Sequence, residues 1–250
     1  MSKKQLDKYI KEYETEDFIK NDPIQFPYRF ENKNDVEIAG FFASMLSFGR
    51  RDVFIKKLDE LFERMGNEPF EFIKNYDFKD KALDGFLYRF AKDSDIKEFC
   101  RILNILYSEG KTLEELFSFS YSVSGSVKGM LQGVCDYFYS RANLPMSQGF
   151  CYLLPNPNKN SACKRLNMLL RWFVRDGAVD LGIWKFIDKS ELLIPLDTHV
   201  ARLSREFGLL KRKNNDFQSV IEITEGLKKF DPTDPVKYDF ALFGYGVNNN

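Results

Sequence analysis

The stretch VEIAGFFASMLSFG, residues 36–49, constrains this 250-residue chain more than any other. A helix that is apolar nearly all the way round offers no face to water, so other elements must cover every side of it. The spacing predicts that it begins near Asp35 and stops at Gly49, since glycine takes the left-handed conformation that ends many helices. Behind it, RDVFIKKLDELFERMG (51–66) places Val53, Phe54, Leu58, Leu61 and Phe62 on one face and ends on Gly66, the pattern of a helix laid against a core.

Helical periodicity continues through most of the chain. Leu6, Tyr9, Ile10 and Tyr13 follow the i, i+3, i+4, i+7 rule, and two prolines then break the pattern in DPIQFPYRF (22–30). Several shorter helices are expected over 68–140, interrupted at SVSGSVKG (122–129), and YLLPNPNKNS (152–161) is turn chemistry from end to end. ACKRLNMLLRWFVR (162–175) reads as a helix with Leu166, Leu169, Leu170 and Phe173 on one side and Arg165, Arg171 and Arg175 largely elsewhere. A short helix is expected near Trp184, and another buries Val200, Leu203 and Phe207 ahead of Gly208. The last, DPVKYDFALFGYG (234–246), starts with an Asp cap and Pro at the first helical position. No alternating strand run and no internal repeat occur. The expectation is an all-α fold, one globular unit over residues 1–250 with a helical lobe at 35–145 and a second lobe made of 1–34 plus 146–250.

Composition narrows the class. With 25 Phe and 12 Tyr, the core should be built from packed rings. No apolar run approaches the ~20 residues of a membrane span, and the basic start MSKKQLDKYIKEYETEDF has no apolar region behind it, so a cytoplasmic chain without a membrane role is expected. Cys100, Cys135, Cys151 and Cys163 form no CxxC pair; neither a metal site, an iron–sulfur cluster nor any other cofactor is expected. Formal net charge is zero, yet residues 141–230 carry fifteen Lys and Arg against nine Asp and Glu. That imbalance is either an electrostatic footprint for a polyanion or a chance cluster of solvated side chains.

One carboxylate stands out. In IPLDTHVARLSREFGLL (194–210), Asp197 lies between a proline turn and an amphipathic helix. Asp is a good N-cap, worth ~1 kcal/mol with no chemistry involved. The same helix end also keeps an anion ionised through its unpaired N–H groups and the macrodipole, so Asp197 can equally serve a reaction.

PLDTHVARLSREFGLL resembles the segment that carries the catalytic aspartate in the helix-hairpin-helix DNA glycosylases, the superfamily of endonuclease III and the 8-oxoguanine glycosylases. Three further stretches fall in the order that fold requires. EIAGFFASMLSFGRRDVFIKKLDELF (37–62) resembles the buried helix, DNA-probing loop and following helix, with Phe48, Gly49 and Arg50 at the loop tip and Arg51 beside them. SACKRLNMLLRWF (161–173) resembles the start of the helix after the hairpin, which puts Lys164 at the Schiff-base position of lyase-active members. KYDFALFGYG (237–246) resembles the closing helix. The whole chain is also similar to an uncharacterised bacterial family, so the resemblance supplies a fold and a candidate chemistry. Three departures stand beside it. The hairpin PNPNKNSACK offers Asn and Ser, including Asn160 and Ser161, where the superfamily has glycines, although Asn tolerates the left-handed conformation. Lys164 and Asp197 are 33 residues apart, a spacing matched by an archaeal branch of 8-oxoguanine glycosylases. The cluster-binding cysteines of endonuclease III are absent.

What the resemblance implies is chemically specific. Breaking an N-glycosidic bond develops positive charge on the sugar, which a fixed carboxylate at Asp197 would stabilise. Lys164, once neutral, would attack the sugar carbon to form an imine; the alternative is a surface lysine in the first turn of a helix. The target base must be flipped from the duplex, and Phe48 is large enough to fill the gap, with Arg50 and Arg51 on the backbone; the alternative is a Phe48 packed in the core. His199, the only histidine, has no metal-ligating partner at suitable spacing and reads as a supporting contact. The expectation is a two-lobed, glycosylase-like fold with a central cleft. It would act as a monomer on double-stranded DNA carrying a damaged base, 8-oxoguanine-like in preference, with or without AP-lyase activity. An inactive DNA-binding module and an all-α interaction protein are the competing readings.

Overall fold

The computed structural model describes residues 2–248, and over them the protein is all-α. In chain order the helices are α1 (Lys3–Tyr13), α2 (Glu16–Ile19), α3 (Lys33–Leu46), α4 (Arg51–Arg64), α5 (Pro69–Lys74), α6 (Asp93–Ser108), α7 (Leu113–Ser124), α8 (Val127–Arg141), α9 (Gln148–Leu153), α10 (Lys164–Val174), α11 (Thr198–Glu206), α12 (Phe217–Lys228) and α13 (Tyr238–Asn248). The sheet content among the described residues is one short antiparallel hairpin, β1 (Leu87–Tyr88) with β2 (Ala91–Lys92), in register Tyr88 opposite Ala91. No helix of the described residues is long and apolar enough to cross a membrane.

The chain divides into two compact units, residues 1–22 with 156–250 and residues 23–155. The division falls at 22/23 and 155/156, so the proline-rich segment 23–30 and α9 belong with α3 and α6, which they pack against, and not with the lobe to which the sequence pattern assigns them.

In the 23–155 unit, α3 is the central element, and every residue from Val36 to Leu46 is buried. Rings do much of the packing, as the Phe content implies: Phe41 stacks on Phe138 at 5.5 Å and Phe99 on Phe150 at 4.4 Å. α3 stops at Leu46, three residues before the expected Gly49. Val53, expected on the buried face of α4, is exposed, whereas Phe54, Leu58, Leu61 and Phe62 are buried.

In the other unit, α1 and α11 pack on α13 around Leu6, Leu196, Val200, Leu203, Leu227, Tyr238 and Leu242. Two expectations are corrected here. The segment around Trp184 is not a helix: Leu181 and Trp184 donate their N–H groups to the carbonyls of Trp172 and Phe173 at the end of α10, and that pairing holds the chain extended. Nor does Asp234 cap the last helix. Its carboxylate is engaged by Arg175 Nε at 3.0 and 3.1 Å, and a single 3-10 turn precedes α13.

Candidate active site

Asp197 sits where the chain turns from extended to helical, with φ −111° and ψ −172°, after the buried Ile194 and Leu196. Val200 N–H donates to its Oδ1 at 2.8 Å, so it is the N-cap of α11. Its second oxygen lies 3.6 Å from Lys164 Nζ. The carboxylate is 13% exposed and the lysine side chain 32%, so the pair is sheltered and still open to water on one side.

Lys164 is aimed by a strained turn. Asn160 and Cys163 both adopt left-handed backbone, at φ +59° and +48°, within four residues of each other. Asn tolerates that conformation, but at Cys163 it costs roughly 1–2 kcal/mol, and such strain persists only when the surroundings enforce it. The surroundings do so through Asp216, the N-cap of α12. Asn160 Nδ2 donates to Asp216 at 3.3 Å, Phe217 N–H donates to the Asn160 carbonyl, and Ser161 pairs with Asp216 in an isolated bridge. Ser161 Oγ accepts the Cys163 N–H at 3.3 Å, and Asn167 Nδ2 donates to the Ala162 carbonyl. Arg212, bonded to Asp216, holds that carboxyl well below its ordinary range. Asn160 and Ser161 therefore shape the turn that delivers Lys164. The helix they introduce opens on a cation with no acidic residue in its first turn, the wrong sign for a helix start. Helix stability does not account for Lys164.

Behind the pair lies a buried charge network that the linear sequence did not reveal. Arg171, two turns along α10 from Lys164, bonds to Asp239 in the first turn of α13 and to Asp180 at 3.2 Å. Arg175, one turn further, bonds to Glu14, to Asp180 at 2.9 Å and to Asp234. Arg165, Arg171 and Arg175 are all buried, so part of the basic excess over 141–230 is internal and cannot face a polyanion. Burial raises the Asp180 and Asp234 carboxyls. It pushes Asp239 up to about 7 against the attraction of Arg171, with the Asp197 carboxylate adding to the rise and Lys164 opposing it. Asp239 thus senses the charges of the surface pair. The available signal was the stripe Lys164, Arg171, Arg175 at i, i+7 and i+11, which puts three cations on one face of a helix whose other positions are mostly apolar.

His199 is half-buried on α11, edge-on to Phe243 of α13 with ring centroids 6.5 Å apart. A Cβ at Gly246 would come within 3.0 Å of His199 Cβ, so this glycine allows the two helices their close approach. No group of three or more His, Cys, Asp or Glu side chains suited to a metal occurs among the described residues.

Phe48, Gly49, Arg50 and Arg51 form a separate group in the 23–155 unit. Phe48, open in sequence between a wedge and a core ring, is a half-buried ring stacked on Phe90 at 5.3 Å and held by Tyr88 and Tyr152 at 4.7 and 5.1 Å. Gly49 has φ +81°, a conformation that strains any other residue, and a Cβ there would lie 2.5 Å from Arg89 Nη1 and push that side chain aside. Arg50 is exposed and paired with Asp52 at 2.7 Å, and Arg51 is half-buried.

Comparison with known proteins adds a family and no chemistry. A family model described as "Protein of unknown function (DUF2400)" matches residues 22–248. No curated protein and no solved structure matches the chain.

Proposed function

The chain belongs to that family over nearly its whole length, and from the chemistry of the Lys164–Asp197 pair we propose that it is a DNA base-excision glycosylase with AP-lyase capacity. The observation that carries this reading is the 3.6 Å approach of an amine and a carboxylate held at the starts of two helices, sheltered but not sealed from solvent. In the proposed reaction the bond between sugar C1′ and the base breaks with its electron pair leaving on the base. Asp197, ionised at the mouth of α11, stabilises the charge that develops on the sugar. Lys164 nitrogen bonds to C1′ and loses its proton to water, and opening of the sugar ring, with the ring oxygen taking up a proton, gives the imine from which strand cleavage proceeds. The amine must be neutral to attack, so its proton has to pass to water before the bond forms, because an adjacent carboxylate favours the ammonium. The substrate proposed is double-stranded DNA with a flipped damaged base, 8-oxoguanine-like in preference, bound by one copy of the chain in the cytoplasm.

Borohydride trapping tests it. The protein is incubated with duplexes containing 8-oxoguanine, uracil or an abasic site, and the reduced covalent complex is sought. Trapping should vanish in Lys164→Gln, and base release should fall by about 10²–10³-fold in Asp197→Asn, the loss seen when one stabilising group is removed from a transition state. Trapping that survives Lys164→Gln moves the nucleophile to another lysine, such as Lys185 or Lys189. Binding without base release or trapping on any of these duplexes leaves a non-catalytic DNA-binding module.

A further inference from the structure

The tip of the β1–β2 hairpin consists of two residues, Arg89 and Phe90, between the paired Tyr88 and Ala91. Two-residue hairpin turns favour Asn-Gly or a glycine at the first position, because the backbone there must take positive φ. Here Arg89 holds φ +57°, at a cost of roughly 1–2 kcal/mol that a glycine would avoid. Phe90 beside it is 37% exposed, and Tyr152 on α9, 44% exposed, meets its ring edge-on at 4.1 Å.

The tip is braced from below. Phe48 stacks on Phe90 with its ring 10° from parallel. The Tyr88 hydroxyl donates to the Phe48 carbonyl, and Arg89 lies over Gly49. On the other side, Asp95 accepts the Lys92 N–H at 2.8 Å and the Ser147 hydroxyl, which ties β2 to the start of α9. A Cβ at Gly149 would overlap the Asp95 carboxylate and the Phe90 carbonyl, so the helix carrying Tyr152 approaches the hairpin as closely as glycine permits. A strained arginine and two rigidly supported, water-exposed rings are not what a turn needs for its own stability. The charge around them is net positive: Arg50, Arg51, Lys56, Arg89 and Lys92 lie in the loop, the first turns of α4 and the hairpin, against Asp52, which pairs with Arg50, and Asp93 and Asp95 at the start of α6.

We infer that this aromatic tip is a stacking platform for an unpaired nucleotide of a DNA strand, with a base against Phe90 and Tyr152 and the neighbouring phosphates drawn by Arg89 and the loop arginines. Rings supply a face that any base can stack on, and the cations track the backbone, the combination used for single strands. The inference takes the nucleic-acid partner from the reading above but none of its chemistry.

The test uses the full chain and a short single-stranded oligonucleotide carrying 2-aminopurine, at low salt. Binding should quench the probe, and Phe90→Ala and Phe90→Leu should each weaken affinity by about 10-fold or more, the usual effect of removing one stacking ring. Phe90→Leu keeps apolar bulk over Phe48, so a folding defect in the alanine variant does not decide the result. Unchanged affinity in Phe90→Leu, binding without quenching, or no binding by the folded natural chain overturns the platform. The two readings fail separately, because Lys164→Gln should abolish imine trapping and leave the quenching intact.

Discussion

Replacing Asp239 with Asn tests the electrostatics behind the candidate site without touching the pair itself. In the unfolded chain this carboxyl titrates near its ordinary 3.8, and in the folded protein burial lifts it to about 7. Between those values the folded state holds a proton that the unfolded state has released. The stabilisation is therefore complete below about pH 4 and is lost as pH rises through about 7. At about 1.4 kcal/mol per unit, the full difference is about 4 kcal/mol. Relaxation around the buried charge reduces it, so a change of at least about 1 kcal/mol over the window is the threshold to measure. Asn has nearly the shape of the protonated acid and does not titrate. The assay is urea unfolding of both proteins at half-unit steps from about pH 4 to about pH 8. Asp180 and Asp234 titrate in both proteins and cancel to first order. Asp239→Asn should gain on the natural chain steadily between those limits. A difference that stays flat, or one that moves in favour of the natural chain as pH rises, would mean that Arg171 keeps Asp239 ionised throughout and would refute the account.

Further outcomes follow from single contacts. Lys164→Gln should change unfolding free energy by no more than about 1 kcal/mol, since ion pairs open to water contribute little, so its loss of trapping would not be a folding effect. Arg175→Met leaves Glu14, Asp180 and Asp234 without their shared cation and should cost about 3–5 kcal/mol in urea unfolding. The cost should be greater at high pH, where the carboxylates are charged. Gly49→Ala combines positive φ with an overlap against Arg89 and Tyr88 and should lower stability by about 1–2 kcal/mol or more; thermal unfolding would show it.

What could be read from the sequence was mostly local. The all-α class follows from 3.6-residue periodicity, and the cap at Asp197 and the breaks at Gly66 and Gly208 follow from residues whose preferences act within one turn. Long-range pairings were harder. Arg171 and Arg175 were placed off the apolar side of their helix with no partner in reach of the local pattern, since their carboxylates come from residues 14, 180, 234 and 239, separated from them by up to 161 positions. The hairpin at 87–92 carries no Asn-Gly or Asp-Gly signal, since its turn residues are Arg and Phe, and its strands are two residues long. Phe48 stayed open between a wedge and a core ring because its neighbours were not legible: Tyr88, Phe90 and Tyr152 arrive from 40 to 104 residues further along.

The stripe on α10 links the fold to the proposed chemistry. Lys164 at its first turn is half-exposed, whereas Arg171 and Arg175 on the same face are enclosed. Two enclosed guanidinium groups face four carboxylates, those of Glu14, Asp180, Asp234 and Asp239. An interior of low polarity disfavours the uncompensated negative charge, and the protein lowers it by retaining protons, most clearly on Asp239. Such a network is a poor source of stability, because well-packed apolar residues of similar volume commonly do as well or better. Its effect on the neighbouring pair is more specific. A neutral Asp239 removes a like charge beside Asp197, and the guanidinium of Arg171 fixes its position. The proposed chemistry needs a negative charge on Asp197 to stabilise a cationic sugar, and protonation of Asp239 lessens the repulsion that such a charge meets.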